Sequence, residues 1–191
     1  NKYHYSLNAK MYIKVVMTCS DEYEFKKLGD VAEVKFGKRI TKIKDGVDEK
    51  IEGDKYPVYS GGGLAFYTKK KNRDGGTLIV SRFAVSKNCV RYISEDFYLS
   101  DAGLSLHCFK QHEQDYFNQI IMLWQKHIYN SSSGTIQRGL NMTLFKNLKI
   151  PFPKSKKKLQ EWVKKISESD DAEKYKKYLE ELQKDINLQV T

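Results

Sequence analysis

Between Tyr56 and Arg91 the chain reads YPVYSGGGLAFYTKKKNRDGGTLIVSRFAVSKNCVR, and no single element of regular structure accommodates all of it. The runs Tyr56 to Tyr59 and Leu78 to Val80 have strand composition and require burial, whereas Lys69, Lys70, Lys71 and Arg73 must stay solvated or meet an anion. The interval is predicted to be a β-hairpin-like unit holding a basic loop out from a sheet, with the rest of the chain as its scaffold. Pro57 restricts YPVY to an edge strand or to the first residues of a strand. Gly61, Gly62 and Gly63 permit a turn with positive φ or a close approach of backbone to a ligand. No Walker pattern accompanies them, and no helix start follows.

The charge is placed unevenly. Residues 35–91 hold 14 Lys and Arg against 6 Asp and Glu; residues 1–34 and 92–150 balance at 5 and 5 each, and residues 151–191 hold 10 against 8. A net charge of +10 that gathers in one interval points to a binding face for an acidic partner, nucleic acid or an anionic membrane surface. At 191 residues and 40% hydrophobic content the chain can bury one sizeable core, which predicts a single domain with an appendage.

Cys19, Cys89 and Cys108 are odd in number and widely spaced, with no CxxC, against both a disulfide framework and a zinc ribbon. No apolar run approaches a membrane span, and a reducing, cytoplasmic location is expected. The chain opens on Asn1 rather than Met, as a processed chain or a domain of a longer polypeptide would.

Taken in order, residues 10–17 have strand composition, and Leu28, Val31 and Ala32 mark one face of a short helical turn before a strand through Val34 and Phe36. Residues 38–54 read as an exposed charged loop. In GLSLHCF, residues 103–109, Leu104, Leu106 and Cys108 share one strand face and Ser105 and His107 the other, so adjacent His107 and Cys108 cannot jointly ligate a metal; no metal site is expected. Residues 113–129 carry Phe117, Ile120, Ile121, Trp124 and Ile128 at spacings of 3 and 4, the pattern of one helix buried along one face.

In SSSGTIQRGLN, residues 131–141, two readings stand open. Its hydroxyls, amides and Arg138 suit phosphate while Gln137 and Asn141 suit adenine; equally, it is a Ser/Gly turn with Asn141 capping the turn MTLFKNL. IPFP, residues 150–153, is expected to end the globular part. Beyond it, Leu159, Val163 and Ile166 form one helical face. Ser169 is placed to cap a second helix, whose Tyr175, Leu179, Leu182 and Ile186 form an a/d seam that implies a partner helix.

Six segments in this order, KLGDVAEVKFGK (27–38), YPVYSGGG (56–63), LIVSRFAV (78–85), FYLSDAGLSL (97–106), SGTIQRGLN (133–141) and FKNLKIPFP (145–153), resemble the target recognition domain of the DNA specificity subunit of type I restriction-modification systems. The chain departs from that pattern at Phe83 and Ala84, where the family usually has a glycine soon after the SR pair, and at the KSKKK that precedes Gln160. The resemblance implies an α+β fold: one globular domain with a twisted, mainly antiparallel sheet packed by helices, and a C-terminal coiled-coil-type helix. It divides the chain into a junction segment over residues 1–24, a recognition domain over 25–153 and a helical spacer over 154–191.

It further implies sequence-specific binding of double-stranded DNA and docking, through the helices, of a methyltransferase subunit or fused methyltransferase domain, with a restriction subunit as a further partner. No catalysis is expected of the chain itself and no cofactor, and the sequence has no methyltransferase tetrapeptide, Gly-rich cofactor loop or phosphate-binding loop. Phosphate contacts are expected from Lys38, Arg39, Lys42, Lys44, Lys69, Lys70, Lys71, Arg73, Lys87 and Arg91, and base reading from Arg73, Gln137, Arg138 and Asn141, with Ser60 as an outlier. For Arg82, beside a buried strand, buried hydrogen bonds that hold the loops compete with a DNA contact. Two other classes of function remain. One is a protein-interaction module that docks a methyltransferase through its last helix; the other is an RNA or single-strand binder that stacks bases on Tyr59, Phe66 and Tyr67.

Overall fold

Leu104, Leu106 and Cys108 alternate with Ser105 and His107 as the period of a strand requires. The computed structural model, which describes residues 21–47, 55–61, 63–134, 137–167 and 172–186, turns the first set into the larger core. In chain order the elements are β1 (Tyr23–Lys27), α1 (Leu28–Val31), β2 (Ala32–Phe36), α2 (Lys42–Asp45), β3 (Gly46–Val47), β4 (Tyr56–Ser60), β5 (Gly63–Thr68), β6 (Thr77–Ser81), β7 (Val90–Ile93), β8 (Tyr98–Leu99) and β9 (Gly103–Cys108). They continue as α3 (Gln114–Leu123), α4 (Gln125–Asn130), β10 (Ser132–Ser133), β11 (Gly139–Leu140), α5 (Met142–Lys146), β12 (Lys149–Pro153), α6 (Lys156–Ser167) and α7 (Ala172–Ile186).

Two four-stranded sheets form, not one. The first has the order β2-β9-β6-β7 and is antiparallel throughout, with Leu106 opposite both Val34 and Leu78. The second has the order β3-β5-β4-β8 and is antiparallel except where β4 runs parallel to β8. The interval from Tyr56 to Arg91 is thus divided. YPVYSGGGLAFYT makes the β4–β5 hairpin of the second sheet, TLIVS makes β6 of the first, and the basic run is the crossing between them. β6 is buried on both faces for that reason: Leu78 and Val80 enter the larger core, and Ile79 meets Ile93, Phe97 and Leu99 in a smaller one. Pro57 does not mark a sheet edge. β4 is flanked on both sides, but β8 engages it only at Val58 and Tyr59, past the proline.

The predicted helix over 113–129 is interrupted. Trp124 leaves helical geometry (φ −81°, ψ 7°), separating α3 from α4, while its indole N–H donates to the Lys149 carbonyl at 3.0 Å. Its apolar face is as expected, with Phe117, Ile120, Ile121, Trp124 and Ile128 all buried. Of the segment 38–54 only residues 38–47 are described, and these include α2 and β3, with β3 paired to β5, where a loop is expected. IPFP forms β12, antiparallel to β1 with Tyr23 opposite Pro153. The core continues past it, through Leu159 and Trp162 of α6 and Leu182 of α7. Leu182 therefore finds its apolar partners within the chain, and Lys165 bonds Glu181 at 3.2 Å across the α6–α7 pair. The predicted strand over residues 10–17, the Ser169 cap and the side chains of Ile166, Tyr175, Leu179 and Ile186 lie outside the described residues. No described helix is long and apolar enough to cross a membrane.

Candidate nucleic-acid interface

Five chain segments meet at one end of the two sheets, held by backbone hydrogen bonds. Arg82, just past β6, donates its N–H to the Ala102 carbonyl at 2.9 Å and accepts from the Leu140 N–H at 2.9 Å; Val85 donates to Arg138 at 3.1 Å, and Phe83 bridges Gly139. Gly37 donates to Gly103 at 3.0 Å and Lys38 to Leu99 at 2.9 Å, bringing in the chain that follows β2. The β4–β5 turn completes the end. The Gly61 carbonyl accepts from the Ser81 hydroxyl at 2.7 Å and from Arg91 at 3.4 Å, and Gly63 takes φ +124°. A side chain at Gly61 would run into the Phe83 carbonyl, so the glycine run is used as a closely packed turn; Gly62 lies outside the described residues. Ser60 sits at its shoulder, paired with Gly63.

Arg82 holds these loops by its backbone, not by buried side-chain hydrogen bonds. Its guanidinium lies over two rings, 5.0 Å from Phe36 and 4.6 Å from Phe83, and makes no side-chain hydrogen bond to the described residues. Both rings are conspicuously open, Phe36 at 49% and Phe83 at 43% exposure. A cation held over ring faces loses mobility without using its N–H groups, which stay able to meet an acceptor. Nearby, Arg138 stacks 4.5 Å over Tyr129, and Ser132 orients it by accepting from Nε at 2.8 Å and from Nη2 at 2.6 Å. Gln137 is exposed in the β10–β11 connection. Asn141 caps α5, its side-chain oxygen accepting from Thr143 and Leu144 at 3.1 Å each. A two-pronged contact with adenine needs that same oxygen.

The cations expected to meet phosphate divide into two groups. Lys70 is bonded to Asp45 at 2.9 Å, and Lys71 to Asp96 at 2.6 Å and Asp74 at 3.1 Å. The bond from Lys70 holds the Asp45 carboxyl below its usual range, the bond from Lys71 does the same for Asp96, and both ammoniums are raised in turn. Arg73 is committed inside the fold: Nε donates to Ser105 Oγ at 2.7 Å, Nη1 to the Asn72 carbonyl at 2.7 Å and Nη2 to the Phe36 carbonyl at 2.9 Å. Burial lowers its pKa, but a guanidinium stays charged. Arg91 is half-buried against the Gly61 turn. By contrast, Lys38, Arg39, Lys42, Lys44, Lys69 and Lys87 are exposed and form no ion pair among the described residues.

Two features are not legible in the sequence. Asn72 completes the crossing between sheets by bonding both backbone groups of Leu99, accepting from its N–H at 2.7 Å and donating to its carbonyl at 3.0 Å. Phe36 and Phe83 are open although strand alternation assigns such residues to the core: Phe36 is the last residue of the outer strand β2, opposite Leu104, and Phe83 lies past the end of β6. His107 and Cys108 do face opposite ways. Cys108 packs in the core, and His107 bonds Ser105 at 3.1 Å, with its pKa lowered by burial and by Lys35 and Arg73. Among the described residues no three His, Cys, Asp or Glu side chains are grouped to hold a metal ion. Tyr59 is not an open base platform: it stands edge-on to Phe97 at 5.6 Å and packs on the smaller core.

A family model described as type I restriction modification DNA specificity domain matches residues 20–188. Among solved structures, the fold is similar to a type I restriction-modification S subunit from M. genitalium, with a TM-score of 0.65 and 19% identity over 76% of this chain and 38% of that one. It is also similar to the HsdS subunit from Thermoanaerobacter tengcongensis, with a TM-score of 0.51 and 12% identity over 88% of this chain and 44% of the other. A third match comes from a structural study of complex assembly in a type I R-M system, with a TM-score of 0.55 and 12% identity over 93% of this chain and 42% of that one. The chain spans less than half the length of each. No curated protein sequence matches it.

Proposed function

The chain belongs to the type I restriction modification DNA specificity domain family, and from that premise we propose that it binds double-stranded DNA at a specific sequence and directs methyltransferase and restriction components there. The observation that carries this reading is Arg82, whose guanidinium lies within about 5 Å of two open rings at the end where five segments converge. A fork presented in that way suits a base edge. Gln137 and the Ser132-oriented Arg138 are base-reading partners, with Ser60 at the turn beside them. Lys38, Arg39, Lys42, Lys44, Lys69 and Lys87 supply the phosphate contacts, which give affinity without sequence preference. Arg73 and Arg91 support the loops from within, and Lys70 and Lys71 contribute less, since they already have carboxylate partners. The α6–α7 pair is the proposed docking element for the methyltransferase.

Anisotropy titrations with a random-sequence duplex pool, single-stranded DNA and RNA at several salt concentrations test the proposal. Six phosphate contacts predict a slope of log K against log salt near −5, at about −0.9 per contact. Arg82→Ala and Arg138→Ala are expected to relax the sequences selected from the pool while leaving that slope in place. Preference for single strands over duplex would instead favour base stacking on Phe36 and Phe83. Capture of a methyltransferase with no affinity for any nucleic acid would favour the interaction module.

A further inference from the structure

Ile43 is 99% exposed, far beyond any other large apolar side chain described. A lone apolar residue at a surface is ordinary, but the setting of this one is not. It stands on α2 between Lys42 and Lys44, and successive helical side chains diverge by about 100°, so the two ammoniums flank it on either side. Lys38 and Arg39 lie just before, and none of the four cations has an ion-pair partner among the described residues.

The projection that carries Ile43 is tied to the fold at both ends. The Lys38 N–H is fixed to Leu99 at one end, and β3 is paired to β5 at the other, Gly46 opposite Thr68 and Val47 opposite Tyr67. Asp45 donates its N–H to the Thr41 carbonyl at 2.9 Å and accepts from Lys70 Nζ at 2.9 Å, which locks the turn to the neighbouring crossing. A side chain at Gly46 would overlap the Lys42 carbonyl, so the turn closes as tightly as glycine permits. Folding gains nothing from a β-branched residue at this tip, where it buries no surface and helical backbone restricts its rotamer.

We propose that the 38–47 projection enters the minor groove of bound DNA. Ile43 is an apolar wedge against a base step, and Lys42 and Lys44 hold the phosphates on the two strands that line the groove. The groove is about 6 Å wide, suited to one aliphatic side chain, and wedges of this kind unstack a step and bend the duplex. The inference rests on the duplex-binding reading above, and charge complementarity selects DNA as the occupant.

The test uses the chain, its Ile43→Ala and Ile43→Leu variants and a Lys42→Ala/Lys44→Ala variant, with duplexes of about 30 base pairs selected from a random pool by the wild-type chain and carrying a dye at each end. Wild type is expected to shorten the end-to-end distance. Ile43→Ala should bind roughly tenfold more weakly with an unchanged salt slope and no shortening, Ile43→Leu should restore both, and the double lysine variant should reduce the slope by about 2. Equal affinity and equal bending by Ile43→Ala would overturn the wedge while duplex binding stands. Failure of wild type to bind any duplex would overturn both readings. A change in self-association with DNA affinity unaltered would assign Ile43 to a protein contact and likewise overturn the wedge.

Discussion

Trp162 donates its indole N–H to the Tyr23 hydroxyl at 2.6 Å, joining residues 139 positions apart in the buried seam between β1 and α6. The bond ties the beginning of the described chain to the helix that follows the last strand, and both rings are almost wholly buried. Trp162→Ala should therefore cost about 3–5 kcal/mol of stability through lost packing, and Tyr23→Phe about 1–2 kcal/mol. Urea unfolding followed by fluorescence from the remaining Trp124, or by circular dichroism, measures both. A loss below 1 kcal/mol for Trp162→Ala would mean that α6 does not belong to the cooperative core.

Arg73 anchors the crossing to the first sheet. It lies in the crossing from β5 to β6, and its guanidinium reaches the Phe36 carbonyl at the end of β2 and the Ser105 hydroxyl on β9. Arg73→Ala is expected to lose about 2–4 kcal/mol, and Arg73→Lys to recover little of it, because one ammonium cannot reproduce the fork. Unfolding midpoints should fall in both variants, whereas the sequences selected by any folded fraction should stay the same.

Ala84 adopts φ +50°, the only non-glycine residue with positive φ among those described. That conformation places Cβ against the following carbonyl. It falls where the resemblance to the specificity subunits sets a glycine, so the backbone keeps the turn while the side chain bears the strain. Ala84→Gly should raise stability by about 1 kcal/mol, read as a higher melting temperature. Ala84→Val should lower it.

His107 and His127 both have lowered pKa values, His107 through burial and the nearby Lys35 and Arg73, His127 through burial and Lys126. In the unfolded chain each binds a proton below about pH 6.5, whereas the folded chain resists doing so until a lower pH. The unfolded state therefore holds more protons in that window, and stability should fall as the pH drops from neutral through about 6. Replacing both histidines with Gln should flatten the stability profile between about pH 7 and pH 5.5. An unchanged slope in the double variant would place the titration elsewhere.

Periodicity in the sequence was enough for elements whose burial is local. The alternation Leu104, Leu106, Cys108 specified which face of β9 enters the core, and Phe117, Ile120, Ile121 and Ile128 specified the inner face of α3 and α4, since side-chain direction follows directly from strand and helix repeats. The uneven charge likewise shows in the sequence alone that the cationic surplus lies in residues 35–91.

Only the tertiary structure divided that interval between two sheets, because strand pairing depends on contacts between residues far apart in the chain, which no local pattern encodes. It alone set Lys70 and Lys71 against Asp45, Asp74 and Asp96, turned the Arg73 fork inward, and left Arg82 over the rings of Phe36 and Phe83. The sequence by itself determined how many cations there are and roughly where they lie along the chain. Which of them remain available to a partner was decided by folding, since charges distant in sequence neutralise one another only when the backbone brings them within a few ångströms.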